Sequence, residues 1–157
     1  MVPMVDDTPW LAPDEADAWI QMLAVVEFLP TVIDQQLKRD SGVGRFDYSI
    51  LAMLSTAENR TLTMLDLSVV TFGSLSRLSH TVSRLCERGL VERERIGGNR
   101  YISLTDAGWK LLVAAAPGHV VEVRRQVFDH ITPEDARELA RILRPVADHL
   151  RSSAPRS

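Results

Sequence analysis

Apolar residues recur every three or four positions along most of the chain, which is the period of an α-helix. Between residues 14 and 42 they form two neighbouring rows, the first of them heptad-like. The first row contains Trp19, Leu23, Val26, Pro30, Ile33 and Leu37, and the second contains Met22, Val25, Leu29 and Val32. A helix that is apolar on two faces has two surfaces to cover, so we expect it to pack against its own domain and against a second subunit. Pro30 lacks a backbone donor and predicts a kink.

Shorter helices follow, and capping residues mark their ends. They are predicted at 46–58, from Thr63 to about Gly73, and from Leu75 to Arg88. Thr63 and Asp66 have the spacing of a capping box, in which side chains satisfy the free N–H groups of the first turn. Ser74 caps the third of these helices, and Gly89 stops it because glycine readily adopts the left-handed conformation found at helix ends.

A hairpin is predicted from Leu90, where the helical period stops. The segments 90–95 and 100–104 have the composition of short strands. Gly97, Gly98 and Asn99 between them favour the positive φ angles of a tight turn.

Two more helices complete the chain. The first starts at Thr105, is expected to kink or break at Pro117 and Gly118, and continues to Phe128. The second starts at Thr132, where a cap, a proline and two acids follow each other. Its apolar row consists of Ala136, Leu139, Leu143, Val146 and Leu150. The tail 151–157 is expected to lack regular structure.

Length and composition indicate a single domain, 1–157, with 45% apolar residues to fill its core. No run comes near the roughly 18 uncharged apolar residues of a membrane span. The amino terminus, MVPMVDDTPWLAP, is acidic where an export signal is basic. We therefore expect a cytoplasmic protein with no membrane partner. A single cysteine, Cys86, excludes an internal disulfide and a multi-cysteine zinc site.

Charge is unevenly distributed along the chain. The segment from Ser74 to Arg100 holds six arginines and three glutamates, so it carries +3, whereas the whole chain carries −3. A local cationic surface decides docking on phosphate more than the total charge does.

A helical wheel separates the apolar and polar residues of 75–88, at about 100° per residue. The apolar arc contains Leu75, Leu78, Val82, Leu85 and Cys86, the polar arc contains Ser76, Arg77, His80, Arg84 and Glu87, and Ser79 and Ser83 lie at the boundary. Hydroxyl and guanidinium groups are donors that base edges and phosphates accept. A short helix, a tight turn and a capped second helix predict a helix-turn-helix, with the hairpin beside it as a wing.

The hairpin arginines extend the same chemistry. Arg93, Arg95 and Arg100 are placed to reach phosphates or a minor groove beside the helix. The alternative is a solvated helix face, with Glu92 and Glu94 pairing these arginines internally.

These motifs resemble the winged-helix region of MarR-type transcriptional regulators. The matching residues are "SLSRLSHTVSRLCERGLVERE", the arginine after the hairpin tip, and "LTDAG", at 74–94, 100 and 104–108. The resemblance implies a mainly α fold with a small β-hairpin wing. It divides the chain into a winged helix-turn-helix lobe, 46–104, and a helical dimerisation region from both termini, 14–42 and 105–152. It also implies a homodimer that binds double-stranded DNA at a pseudo-palindromic operator.

Carried onto matching positions, the resemblance assigns DNA contacts to one helix and the wing. The predicted residues are Ser74, Ser76, Arg77, Ser79, His80, Ser83, Arg84, Arg95 and Arg100. The chain departs from the pattern at the wing, where Asn99 precedes Arg100 in place of the aspartate of many members. The wing is also a few residues shorter than the family norm.

Other functions stay open at this point. Trp19, Phe28 and Trp109 are candidates to line a pocket for a small aromatic or amphipathic effector, or are simply core residues. A winged-helix adaptor that binds protein and a ligand-binding dimer without DNA affinity are the competing classes. No metal-ligand spacing, cofactor motif or catalytic motif occurs, so we expect no metal, no cofactor and no enzyme. Cys86, on the apolar arc, is expected to have a raised pKa and low reactivity.

Overall fold

The structure, a computed structural model, describes residues 8–153. Across that range the chain forms α-helices and one small antiparallel sheet. The helices are α1 (Pro13–Ser41), α2 (Arg45–Thr56), α3 (Met64–Thr71), α4 (Leu75–Glu87), α5 (Asp106–Gln126) and α6 (Pro133–Ser153), with short 3₁₀ turns at Glu58–Arg60 and Phe128–His130. The strands are β1 (Thr61–Thr63), β2 (Val91–Ile96) and β3 (Asn99–Leu104). The chain divides into two compact units between Val32 and Ile33, within α1.

The first unit contains the amino-terminal part of α1. Asp14 and Glu15 lie in its first turn, where acids complement the positive helix end, and Glu15 Oε2 accepts from the N–H of Ala12 at 2.7 Å. No residue between 8 and 32 is buried. The large exposed apolar residues are Trp10, Leu11, Trp19, Ile20, Met22, Leu23, Val25, Val26 and Phe28. The helix continues through Pro30, and a kink there stays a prediction.

This apolar surface corrects one expectation. Of the helices in residues 8–153, α1 alone is long and apolar enough to cross a membrane by length and composition, with an 18-residue window of mean hydropathy 1.4. α1 contains no long uncharged run, because Asp17 and Glu27 interrupt its apolar residues. The mean hydropathy of the window stays high despite these two charges. A core helix of a soluble protein passes the same test, so the finding is weak evidence for a membrane.

The second unit has its core between α2, α3, α4, α5 and the sheet. Its buried cluster consists of Val43, Phe46, Ile50, Leu51, Leu54, Leu67, Leu78, Val82, Leu85, Leu90, Val91, Ile102, Leu104 and Leu112. Removing this much apolar surface from water is the main stabilising contribution to the fold. The helix-turn-helix and the sheet are therefore built on one rigid core.

The predicted hairpin is confirmed, and the structure adds a third strand to it. The order is β1-β3-β2, antiparallel throughout. Arg95 pairs with Arg100, and Gly97 and Gly98 form the turn with φ of 56° and 89°. β1 was not predicted because three residues are too few to show an alternating pattern.

Three predicted caps are present. The side chains of Thr63, Ser74 and Thr132 accept from the backbone N–H groups of Asp66, Arg77 and Asp135 at 3.1, 3.3 and 3.1 Å. Thr105, predicted as a helix start, is also a cap and accepts from the N–H of Gly108 at 3.0 Å. These bonds satisfy donors that a helix start leaves free and fix the first residues of the helices.

The end of the chain differs from the prediction in two places. α5 is one helix through Pro117 and Gly118, so the predicted break is wrong, and a kink there stays a prediction. Leu112 and Ala115 before the proline and Glu122 after it are buried. The helix ends at Gln126, short of Phe128. α6 continues to Ser153, so the first part of the tail 151–157 is helical, and residues 154–157 lie outside the described range.

Candidate nucleic-acid interface

The turn between α3 and α4 is built around Phe72 and Gly73. Phe72 ends α3 in the left-handed conformation, with φ of 55°, which is uncommon for a residue that has a side chain. A β-carbon on Gly73 would lie 2.5 Å from Phe46 Cζ. The turn therefore needs glycine to pack against the ring of Phe46.

α4 presents a polar face to solvent. Leu78, Thr81, Val82 and Leu85 are buried beneath it. The exposed residues are Ser74, Ser76, Arg77, His80, Arg84, Glu87 and Arg88, with Ser79 and Ser83 partly buried. Two residues of the predicted apolar arc differ, since Leu75 is 40% exposed and Cys86 only partly buried. Leu75 occupies the first helical position, at the rim of the core.

Two arginines of α4, and Arg88 directly after it, contact residues 42–47 at the end of the α1–α2 connection and the start of α2. The guanidinium of Arg77 lies over the ring of Phe46, 4.1 Å from its centroid. Arg84 Nη2 forms an ion pair with Asp47 Oδ1, and Arg88 Nη1 donates to the carbonyl oxygen of Gly42 at 3.1 Å. Sequence reasoning missed these anchors because the partners are far apart along the chain.

The wing arginines are free of such contacts. All residues from Glu92 to Arg100 are exposed. Within residues 8–153, Arg93, Arg95 and Arg100 form no ion pair with any carboxylate within 4.0 Å. The alternative interpretation required Glu92 and Glu94 to form ion pairs with these arginines, and the structure shows no such pairs among residues 8–153.

The three candidate effector residues belong to different units of the chain. Trp19 and Phe28 belong to the first unit and are 48% and 69% exposed. Trp109 belongs to the second, is 36% exposed, and lies under the guanidinium of Arg60 at 4.4 Å. A pocket that joins these residues stays a prediction.

Three further polar side chains of the second unit lie on α1, α2 and α5: Gln36, Tyr48 and His119. Gln36 is 2% exposed and packs near Gly118, since a β-carbon there would lie 3.5 Å from Gln36 Nε2. His119 lies beside Tyr48, with ring centroids 4.5 Å apart, and burial lowers the pKa of the histidine. Gln36 Oε1 and His119 Nδ1 are buried without a hydrogen-bond partner in the part of the protein described.

Cys86 has the environment expected of an unreactive thiol. Burial raises its pKa, and this effect exceeds the opposing influence of Arg93. No group of three or more histidine, cysteine or acidic side chains with metal-binding geometry occurs among residues 8–153.

The helix-turn-helix of α3 and α4, followed by the β2–β3 hairpin, defines a winged-helix protein. Comparison with known structures narrows this class. The chain is similar to Sco3205, a MarR family transcriptional regulator from Streptomyces coelicolor solved in complex with DNA, with 37% identity, 95% of each chain covered and a TM-score of 0.88. It is similar to AbsC, a MarR family regulator from the same organism, with 37% identity, 93% of this chain and 100% of AbsC covered, and a TM-score of 0.86.

A third structure shares the fold alone. CouR from Rhodococcus jostii RHA1, solved with p-coumaroyl-CoA bound, is 21% identical over 83% of this chain and 91% of its own, with a TM-score of 0.73. No family model and no curated protein matches the sequence. The two relatives at 37% identity are decisive: this chain belongs to the MarR family of transcriptional regulators.

Proposed function

We propose that this protein is a cytoplasmic, homodimeric regulator that binds a pseudo-palindromic duplex, with one α4 in each of two successive major grooves. The exposed polar face of α4 carries the proposal, since it offers hydroxyl and guanidinium donors in the row that base edges require. The DNA complex of Sco3205, at 37% identity, supports it. The activity is recognition, and no catalytic step is assigned to it.

The roles follow from position. Ser76, Arg77, Ser79, His80 and Ser83 lie on α4 where they reach base edges. Ser74, at the positive end of that helix, binds a phosphate through the free N–H groups of the first turn. Arg95 and Arg100, side by side on the wing, enter a minor groove or bind its phosphates.

Dimerisation is proposed for the helices at the two ends, within 14–42 and 105–152. α6 has no buried residue. Its large exposed apolar side chains are Leu139, Ile142, Leu143, Val146 and Leu150. Together with the apolar surface of α1 they exceed what a monomer in water normally leaves uncovered. A twofold dimer covers both rows without further partners.

The DNA-binding part is tested by selecting bound duplexes from a random pool, followed by titration of the recovered site at several salt concentrations. We expect one enriched pseudo-palindrome and an affinity that falls steeply with salt. A protein that binds no duplex at any salt is instead an adaptor or a ligand-binding dimer. Ligand-dependent melting without DNA affinity identifies the latter.

The dimer is tested by Leu143→Ser, with Arg144→Ser on the exposed polar side of the same helix as the matched control. Each fully buried leucine contributes about 1.5–3 kcal/mol, so Leu143→Ser is expected to raise the dimer Kd at least tenfold, whereas Arg144→Ser leaves it near the wild-type value. Light scattering after size exclusion gives the mass. A wild-type protein that is monomeric at micromolar concentration, or that partitions into lipid vesicles, contradicts the proposal.

A small amphipathic effector is the second part of the proposal, favoured by Gln36 Oε1 and His119 Nδ1, which are buried without a hydrogen-bond partner among residues 8–153. Such atoms cost free energy until a ligand or water pairs them. Aromatic acids and amides are screened by thermal shift. A compound that raises the melting temperature of the wild type but not of Gln36→Leu supports the site, and a full panel without a shift argues against it.

A further inference from the structure

Asp47 lies in the first turn of α2 with its side chain 7% exposed. One oxygen, Oδ2, accepts from the N–H of Gly44, the N-cap residue of α2, at 3.0 Å. The other, Oδ1, faces the guanidinium of Arg84 on α4. Both oxygens of this buried carboxylate are therefore committed within the protein.

The start of α2 is itself attached to α1. The N–H of Arg45 donates to Asp34 Oδ1 at 2.8 Å, and Lys38 Nζ lies 2.7 Å from Asp34 Oδ2. The backbone at the start of α2 is therefore hydrogen-bonded to two carboxylates, that of Asp47 itself and that of Asp34 on α1. A carboxylate fixed in this way has little freedom to follow a moving partner.

For Arg84, the ion pair with Asp47 is energetically favoured over a contact with a DNA phosphate. Its side chain is 49% exposed, so part of the guanidinium reaches solvent. If Arg84 turned fully outward, Asp47 would be left as a buried charge without its partner, which is far more costly than losing a screened contact at the surface. The arginine therefore stays with Asp47.

The neighbouring arginines show the same arrangement. Arg77 stacks on Phe46 and Arg88 donates to the carbonyl of Gly42. Three cationic side chains along one edge of α4 are thus held by a single short segment, 42–47. A groove of about 520 Å³ runs along this edge, lined on its two sides by these residues and their partners.

We propose that Asp47 is a positioning residue for DNA recognition: by holding Arg84 it sets the rotation of α4, and Arg84 serves the protein rather than a phosphate. This inference rests on the proposed DNA-binding function. It removes Arg84 from the set of direct DNA contacts that the resemblance implied. Base reading is left to the other predicted residues of α4, which are Ser76, Arg77, Ser79, His80 and Ser83.

The experiment measures affinity for the selected duplex and for a random duplex at four salt concentrations, with wild type, Asp47→Asn, Arg84→Met and the double variant. We expect each single variant to lose about tenfold in specific affinity, with a smaller ratio of specific to random binding. The double variant is expected to lose no more than either single one, because both remove the same contact. The salt slope is expected to stay at the wild-type value.

Arg100→Ala is the matched control, since Arg100 has no carboxylate partner within the described range 8–153. If it contacts one phosphate per subunit, its loss flattens the slope by about 0.9 for each contact removed. Arg84→Lys is the conservative variant that controls for misfolding, because lysine keeps the positive charge beside Asp47. Lysine lacks the planar guanidinium group that fixes the geometry of the pair. A positioning role predicts reduced specificity for Arg84→Lys, whereas a phosphate contact predicts nearly wild-type binding. All variants are compared at a temperature where circular dichroism shows them folded.

Two results overturn the inference and leave the proposed function standing. One is a slope that flattens for Arg84→Met as it does for Arg100→Ala. The other is tighter, less specific binding by Asp47→Asn, as expected if Asp47 merely restrains a phosphate ligand. Absence of duplex binding by the wild type at every salt concentration overturns the proposed function and the inference with it.

Discussion

Gly108, in the first turn of α5, has no room for a β-carbon. A methyl group there would lie 2.1 Å from the carbonyl oxygen of Leu90 and 2.7 Å from Leu104 Cδ1. The carbonyl is backbone and already accepts from the N–H of Thr105 at 3.2 Å. Gly108→Ala must therefore push the start of the hairpin away from the start of α5.

The magnitude follows from three opposing contributions. Overpacking costs about 1–3 kcal/mol, and a weakened Thr105–Leu90 hydrogen bond adds about 0.5–1.5 kcal/mol. The higher helix propensity of alanine, relative to glycine, offsets about 0.9 kcal/mol of this loss. The net loss is about 2 kcal/mol, which corresponds to a fall of about 4–8 °C in the melting temperature of a protein of this size.

Gly118→Ala is the matched control on the same helix. A methyl group there would meet Gln36 Nε2 at 3.5 Å and Asp40 Oδ2 at 3.9 Å, which are ordinary contact distances. Only the propensity gain remains, so we expect a rise of about 2–4 °C. Thermal unfolding is followed by circular dichroism at one protein concentration, because a dimer melts at a temperature that depends on concentration. A Gly108→Ala protein that melts at or above the wild-type temperature refutes the reasoning.

Three further predictions concern single side chains. Arg77→Ala is expected to weaken binding and relax the base preference returned by selection, and an unchanged preferred sequence contradicts its assignment. Arg100→Ala is expected to weaken binding to all sequences alike and flatten the salt slope by about 0.9 per phosphate contact, measured by anisotropy. The hydrogen bond from Lys38, then that from the N–H of Arg45, holds the pKa of Asp34 below its ordinary value of 3.8. A depressed pKa stabilises the fold above that ordinary value, and the contribution is lost as pH falls through the folded pKa. In urea titrations, wild type and Asp34→Asn should therefore differ in stability at pH 7, and the difference should shrink as pH falls below 3.8.

Local signals explain which parts of the fold could be predicted. The caps at Thr63, Ser74 and Thr132 were predicted correctly because a cap bonds to a residue only three positions away. The turn at Gly97 and Gly98 is equally local. Each of these features needs only a short run of sequence to be specified.

Long-range contacts explain the rest. β1 exists because Thr61 pairs with Ser103, with their hydroxyls 2.8 Å apart and 42 positions of sequence between them. The pair of Asp47 and Arg84 spans 37 positions, so nothing near Arg84 indicates that its charge is already engaged. α5 is one helix through Pro117, with buried residues both before and after the proline, so the local rule that proline ends a helix does not hold there.

The net charge of −3 does not oppose a polyanionic partner once its distribution is considered. Residues 1–32 contain six acids and no lysine or arginine, whereas the rest of the chain contains 15 acids and 18 bases. The second unit, which carries the helix-turn-helix and the wing, is therefore net cationic. On α6 three of the four acids are paired locally, since Glu134, Glu138 and Asp148 each form an ion pair with an arginine three positions on. Screening limits the influence of exposed charges to about 8 Å at physiological salt, so an approaching phosphate responds to the arginines of α4 and the wing rather than to the total.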